Sequence, residues 1–394
     1  METALQRALS QRMAALSDAN LIRKQRVVEH DPEHVLCSND YLGVAGETLD
    51  VSTIAHLVEA GVAQGSGGSR LISGTHSAHV ELEREIATWL GREDAIFFAS
   101  GYQANVGTLS ALAQKGDTVF SDALNHASLI DGIRLSGAQR VIYPHHDMEA
   151  LERALQQAPS TGLRIVVTDA IFSMDGDLAR LRTLAKLRDR YGAVLVVDEA
   201  HSLGVYGDEG RGLVDHLGLR DSVDVIIGPC GKSLGSGGAF VAGSSLLREY
   251  LYNRSRAFVF STAPPPLVAA LTLRALGVLR SGDRQRALWG RIERLADALR
   301  ARGFWEGAPL SPIFPIVVGS EQNALALASA LDRAGIFVHP VRPPTVPKGS
   351  SRLRVTVSAR TPFEVIERFV DVLDQECERL AIRPVQWSHG SIEE

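Results

Sequence analysis

Short, uniformly apolar runs separated by helical stretches constrain this chain more than any other feature. From about Gly91 onward they are Ala95-Ile96-Phe97-Phe98, Thr118-Val119-Phe120, Arg140-Val141-Ile142-Tyr143, Ile165-Val166-Val167, Val194 to Val197, Val223 to Ile227 and Gly238 to Ala242. A strand with one wet face alternates apolar and polar residues. Runs that do not alternate are buried on both sides, as in a mostly parallel sheet covered by helices. The chain therefore reads as α/β with a mostly parallel seven-stranded sheet. Helical period is clear in two places. Leu82, Ile86, Trp89 and Leu90 share a face of 77–90, and Ile366, Phe369, Val370, Leu373 and Cys377 share one of 363–380. A second pattern starts near Pro312: a strand at Phe314 to Val318, a helix over 321–335 and a strand at Ile336-Phe337-Val338. The proline-rich loop Arg342 to Pro347, a strand at Leu353 to Val357 and the final helix complete it. The expected division is an N-terminal helix and arm over 1–45, a large domain over 46–275, a smaller C-terminal α+β domain over 276–383 and a weakly ordered tail over 384–394.

The chemistry concentrates where these strands end, which is where open α/β sheets bind ligands. Ser100-Gly101-Tyr102, Asn125-His126, Asp169, Ser173, Asp198, His201 and Lys232 all follow strands. Lys232 stands among small residues in Gly228-Pro229-Cys230-Gly231-Lys232-Ser233-Leu234-Gly235-Ser236-Gly237-Gly238. A lysine that must reach an aldehyde needs such a partly desolvated place, because its amine has to spend time unprotonated. Asp198-Glu199-Ala200-His201 ends the preceding strand. Acid, histidine and downstream lysine in that order suggest a pyridoxal phosphate enzyme, with the acid on the pyridinium nitrogen. A phosphate-binding P-loop is the competing reading of Gly-Lys-Ser, but it needs glycine where Ile226 stands.

Other classes fall away on composition. Net charge is −5 with no extended basic tract, which argues against a nucleic-acid partner. Cys37, Cys230 and Cys377 form neither a zinc spacing nor a disulfide framework, so no metal is expected and a reducing compartment is. Met1 to Arg26 has no apolar signal-peptide core, and no stretch of about 18 apolar residues exists to span a bilayer. The chain reads as cytoplasmic.

With these residues assembled, the sequence resembles the α-oxoamine synthases, fold-type I pyridoxal phosphate transferases that join an amino acid to an acyl thioester with loss of carbon dioxide. The resemblance covers about 20–380. It rests on Ser38-Asn39-Asp40-Tyr41-Leu42-Gly43, Gly65-Ser66-Gly67-Gly68-Ser69-Arg70 with Ser73-Gly74, Asn125-His126-Ala127-Ser128, Phe172-Ser173-Met174-Asp175-Gly176-Asp177, Asp198 to His201 and Gly231-Lys232. Arg342-Pro343-Pro344-Thr345-Val346-Pro347 looks like the loop of the biotin-pathway branch, which uses L-alanine and a pimeloyl thioester carried on coenzyme A or a carrier protein. Gly235 to Gly243 leans instead toward the branch that uses serine and a palmitoyl thioester.

The resemblance implies roles. Lys232 holds pyridoxal 5'-phosphate and moves the substrate Cα proton; Asp198 keeps the pyridine nitrogen protonated. His126 stacks on the ring, and His201 bonds its phenolic oxygen. Ser173 is a polar neighbour of the ring or only a turn hydroxyl, and Asp169 orients His126 or the ring oxygen. Ser100, Gly101 and Tyr102 serve the phosphate, with Ser261 and Thr262 reaching it from a neighbouring subunit of a homodimer. Ser69 and Asn39 lie on the substrate side, where Arg354 clamps the amino acid carboxylate or serves as a rim ion-pair partner. Arg23 and Thr345 face the acyl chain or its carrier. One departure stands out: the family's phosphate-binding threonine is replaced by Pro229, which has neither hydroxyl nor N–H. Ser233 and Ser236 are the candidates to replace it. An aminotransferase or lyase on the same fold, and a catalytically silent scaffold, are the readings from other classes.

Overall fold

The computed structural model describes residues 3–18, 21–22, 25, 27–28, 31–159 and 161–386, so the expected tail over 384–394 lies outside the described residues beyond 386. Strands β1 (Asp94–Phe98), β2 (Thr118–Asp122), β3 (Gln139–Tyr143), β4 (Arg164–Asp169), β5 (Val194–Asp198), β6 (Val225–Pro229) and β7 (Ala239–Gly243) form one seven-stranded sheet in the order β1-β7-β6-β5-β4-β2-β3. From β3 to β6 every neighbour pair is parallel, while β7 runs antiparallel to both β6 and β1. The unalternated apolar runs are explained by burial on both faces except in β3, an edge strand whose Arg140 and Ile142 are exposed, so that run does not mark a doubly covered strand. Along β1, Ala95 and Phe97 join one core and Ile96 and Phe98 the other; along β5, Leu195 and Val197 face away from Val196. Each fully buried side chain of this size contributes roughly 1.5–3 kcal/mol.

A second sheet, β8-β10-β9, is antiparallel and comprises β8 (Ile313–Gly319), β9 (His339–Val341) and β10 (Ser351–Thr356). Helices Glu321–Arg333 and Phe363–Arg379 bury Leu327, Leu331, Ile366, Phe369 and Leu373 against the core. Helices Pro266–Arg280 and Asp283–Ala301 connect the two sheets. The sequence pattern places the middle strand of this unit at Ile336-Phe337-Val338, but pairing with β10 starts at His339. Phe337 is drawn elsewhere: it forms a parallel bridge with Val35, and its carbonyl accepts from Leu36 N–H at 2.9 Å.

That bridge belongs to a longer seam. The Leu36 carbonyl accepts from Thr356 N–H at 2.9 Å, the Tyr41 carbonyl from Ala359 N–H at 2.7 Å and the Ser38 carbonyl from the Thr356 hydroxyl at 2.7 Å. The N-terminal segment around 34–43 is thus stitched along β10. Upstream, helix Ala4–Asp18 buries none of its side chains against the rest of the chain.

Candidate active site

Strand order creates the site. The chain leaves β2 for the edge strand β3 and returns past β2 to form β4, so a crevice opens at the carboxyl ends of β2 and β4. His126 follows β2, Asp169 closes β4, and Asp198 closes β5 as its register partner. Buried Asp169 accepts a hydrogen bond from His126 N–H at 2.7 Å, and its own N–H donates to Asn125 Oδ1 at 3.1 Å. Asp198, also buried, accepts from Ala200 N–H at 2.9 Å and from Asn105 Nδ2 at 2.7 Å. Asn105 Nδ2 also donates to the Ser128 hydroxyl at 2.8 Å, which lies 2.7 Å from His126 Nδ1. One amide therefore ties the β5 carboxylate to the histidine after β2.

Lys232 follows β6 and is half-buried, its Nζ 2.8 Å from His201 Nε2. His201 Nδ1 in turn lies 2.6 Å from the Tyr41 hydroxyl, which donates to Asn39 Oδ1 at 3.2 Å. One direction satisfies all of them: the ammonium donates to Nε2, Nδ1–H donates to the phenol, and the phenol donates to the amide. Burial lowers Lys232 to about 8, against the opposing pull of the Asp198 and Asp169 charges and with some help from Arg354. Burial also drives His201 well below the ordinary imidazole range, aided by the positive charges of Lys232 and Arg354, so the ring is neutral. Asp169 is pushed well above the carboxylate range by burial and then by the charge of Asp198. The pair thus favours a single negative charge at the sheet end. His126, which is exposed, is lowered by desolvation of its ring.

Helix Gly101–Leu112 opens beside this cluster, its first turn presenting N–H groups with no intrahelical acceptor. Ser100 caps it by accepting from Gln103 N–H at 3.2 Å. Gly101 is closely packed, since a Cβ there would lie 2.9 Å from Pro229 Cγ and one of the two would have to shift. Pro229, which lacks the family's hydroxyl, and the glycine that opens this helix are therefore packed against each other. The Tyr102 phenol points to Asp131, 2.8 Å away. Ser236 accepts from the Thr272 hydroxyl at 2.8 Å, so its oxygen is engaged by helix Pro266–Arg280. Ser233 packs against Gly204, where an added Cβ would lie 2.7 Å from the serine Cβ. Neither serine contacts Pro229 or Ser100 among the described hydrogen bonds.

From the small sheet, Arg354 of β10 donates through Nε to the Ser173 carbonyl and through Nη2 to the Tyr41 hydroxyl at 3.5 Å. Among the described residues its hydrogen-bond partners are this carbonyl and this phenol, not a carboxylate, so the rim ion-pair alternative loses its partner. The sequence motif contains Tyr41 but assigns it no role; it touches Asn39, His201 and Arg354 together. Sequence reasoning also misses Asn105, although its place one helical turn after Gly101 could have signalled it. Thr345 is exposed in a turn, its N–H donating to the Arg342 carbonyl at 3.1 Å. Arg23 lies outside the described residues. Ser69 forms an antiparallel bridge with Thr262, and Gly68 accepts from Ala263 N–H at 2.9 Å. Ser69, Ser261 and Thr262 thus come together with each other, and the described hydrogen bonds do not join them to the Lys232 cluster.

The sheet order and the strand-end lysine define the fold-type I transferase class. The model of the family described as aminotransferase class I and II matches residues 33–373, and the chain belongs to that family and, within it, to the α-oxoamine synthases. It is 48% identical over 339 residues to an 8-amino-7-oxononanoate synthase of Anaeromyxobacter dehalogenans (strain 2CP-1 / ATCC BAA-258), covering 86% of this chain and 85% of that one. Among solved structures, Sphingomonas wittichii serine palmitoyltransferase superposes with a TM-score of 0.87 at 30% identity, over 97% of this chain and all of that one (100%). A high-resolution structure of a serine palmitoyltransferase with PLP as internal aldimine also scores 0.87, at 29% identity, covering 95% of this chain and 98% of that one.

Proposed function

We propose that this chain is a pyridoxal phosphate-dependent acyltransferase that condenses L-alanine with a pimeloyl thioester, releasing carbon dioxide and the thiol and forming 8-amino-7-oxononanoate. The observation that carries the substrate assignment is 48% identity, over most of both chains, to a protein of that name. The residues present fit the cofactor: a half-buried lysine, a buried carboxylate with an orienting amide, and an open helix start at a glycine packed closely against Pro229. When bound, the cofactor supplies an electron sink for charge developing at the substrate Cα.

The chain's own groups supply the rest. Lys232 holds the cofactor and carries the Cα proton, and its lowered affinity for a proton suits both tasks. Asp198 holds a proton on the ring nitrogen, oriented by Asn105. His126, fixed by Asp169 and Ser128, would hold the cofactor ring, and His201, with Tyr41 setting its tautomer, would bond the ring oxygen. Ser100, Gly101 and Tyr102 offer N–H groups to the phosphate, and Ser173 lines the site. Arg354 and Asn39 receive the carboxylate, while Thr345, and Arg23 outside the described residues, serve the thioester.

Ser69, Ser261 and Thr262 act on a second copy's cofactor in a homodimer. Ile72 and Phe260, 86% and 72% exposed, supply apolar surface close in sequence to that bridge. No described helix is long and apolar enough to cross a membrane, and the three cysteines are free, which supports a cytoplasmic enzyme. A serine-using, palmitoyl-accepting enzyme is the second reading, favoured by the 0.87 superposition on serine palmitoyltransferase. Carbon dioxide release measured with L-alanine or L-serine, each against pimeloyl and palmitoyl thioesters, decides between them. Turnover confined to serine and palmitoyl-CoA would sink the first reading.

A further inference from the structure

Beside β4 the chain makes a closed hairpin over 171–178: Ile171 and Leu178 bridge, Phe172 N–H donates to the Asp177 carbonyl at 3.0 Å, and Gly176 N–H to the Phe172 carbonyl at 2.8 Å. Its tip is gripped from the small sheet. Arg352 donates to the Met174 carbonyl at 3.2 Å and to Asp175 Oδ1 at 2.6 Å, and Arg354 Nε donates to the Ser173 carbonyl. Its base is gripped from the large sheet by His145, the second residue past β3. His145 Nδ1 lies 2.9 Å from Asp122 Oδ1, and Nε2 lies 2.8 Å from Asp177 Oδ2. Asp122 closes β2 and also accepts from the N–H of Leu124, on the loop that carries His126, and from the N–H of His146, after β3. The Phe172 ring packs edge-on against the His145 ring, with centroids 4.5 Å apart.

We propose that His145 is a positioning residue for amino acid binding: by bridging Asp122 and Asp177 it holds the hairpin so that the Ser173 carbonyl fixes the plane of the Arg354 guanidinium. This rests on the reading of Arg354 as the carboxylate clamp. Nε of a guanidinium determines its plane, so a hairpin that shifts by about an ångström turns the two terminal nitrogens off a carboxylate, a misplacement that can cost on the order of a hundredfold. Both nitrogens of His145 face carboxylates, so the bridge needs the doubly protonated ring. Asp122 and Asp177 hold it there, raising it to about 9 against the opposing effect of burial, which is the largest single influence. The other charged groups facing it are His146, stacked at 3.7 Å and itself lowered by burial, and Arg180, whose charge acts on His146. The sign follows: the bridge is complete below the ordinary imidazole value of 6.5 and is lost as pH rises through about 9.

The test uses the cofactor-loaded enzyme and propanoate, a carboxylate with no amine to titrate, read by its competition with L-alanine in the cofactor's absorbance. Expected are a rise of roughly tenfold or more in the propanoate dissociation constant of His145→Gln, with cofactor affinity unchanged. In the unaltered protein propanoate should weaken as pH passes about 9, and that limb should be absent from His145→Gln. The wild-type titration needs no variant, so a poorly folding substitution does not leave the matter open. Wild-type-like propanoate binding by His145→Gln, a parallel loss of cofactor and propanoate, or a wild-type curve flat through that limb overturns the proposal. Stoichiometric metal in the purified protein would do the same, since His145, His146 and Asp177 offer ligand atoms within 4.8 Å of one another. Arg354→Lys separates the two levels: unchanged propanoate binding there removes the clamp itself, whereas a loss there with none in His145→Gln removes only the role of His145.

Discussion

Two buried charged groups in this molecule are built on opposite plans. Arg70 and Glu83, each 3% exposed, pair through two parallel bonds of 3.0 Å. Glu83 also accepts from Phe97 N–H at 2.8 Å, and Arg70 Nε donates to the Thr75 hydroxyl at 3.1 Å. Charges there are matched and the valences filled. Around Lys232 the arrangement is uneven: two carboxylates lie at adjacent strand ends, the lysine's described hydrogen bond goes to a neutral histidine, and Asp169 and Lys232 hold protons abnormally. Saturation holds a loop, a helix and β1 together. Incompleteness leaves a lysine and a carboxylate able to take new partners, as a site requires.

Substitutions at the two places should therefore fail differently. Lys232→Ala should lower turnover by about ten-thousandfold or more, because holding the cofactor and moving the proton are both lost. Its urea midpoint should hold or rise, since a desolvated ammonium is removed. Retention of a borohydride-reducible cofactor adduct in that variant would mean another lysine does the work. Glu83→Gln should instead lose about 3–5 kcal/mol of stability, by leaving Arg70 buried without its charge, while folded molecules keep their cofactor absorbance. If stability survives and the cofactor is lost, the two clusters are not separate in function.

Smaller effects sharpen the contrast inside the site. Arg354→Lys should weaken L-alanine by about 2–5 kcal/mol, thirtyfold to a few thousandfold in dissociation constant, with cofactor absorbance unaltered. Release of cofactor with L-alanine affinity intact would move Arg354 to the other end of the site. Pro229→Thr should tighten cofactor binding by roughly tenfold, by restoring a hydroxyl next to the Gly101 backbone. Equilibrium dialysis of the cofactor checks it, and weaker binding by this variant would show that proline packing matters more than the hydroxyl.

The large sheet is legible in the sequence because burial on both faces leaves a local mark, an apolar run without alternation, in six of its seven strands; the edge strand β3 has such a run although Arg140 and Ile142 are exposed. Lys232, Asp198 and His201 are legible because strand ends can be located from those runs. Tyr41 is not: its partners His201 and Arg354 are 160 and 313 residues away, and no local period encodes them. The strand expected at Ile336 to Val338 misleads for a related reason, since Phe337 has a backbone partner in the N-terminal segment that the local pattern does not announce. Ser236 looks available for a phosphate, yet its oxygen is committed to Thr272 on a helix that only tertiary packing brings near.

The seam between residues 34–43 and β10 has a consequence for how the enzyme comes into being. Chains emerge from the ribosome amino end first. Leu36, Ser38 and Tyr41 are made more than three hundred residues before the groups that hold them, Thr356 and Ala359. The large sheet, with Lys232 and both aspartates, has all its strands by Gly243. Arg354, which holds Tyr41 beside that cluster, is added only with β10. A chain that stops short of β10 therefore carries Lys232 and both aspartates without the Tyr41–Arg354 contact beside them, and the cluster is complete only once that strand has joined.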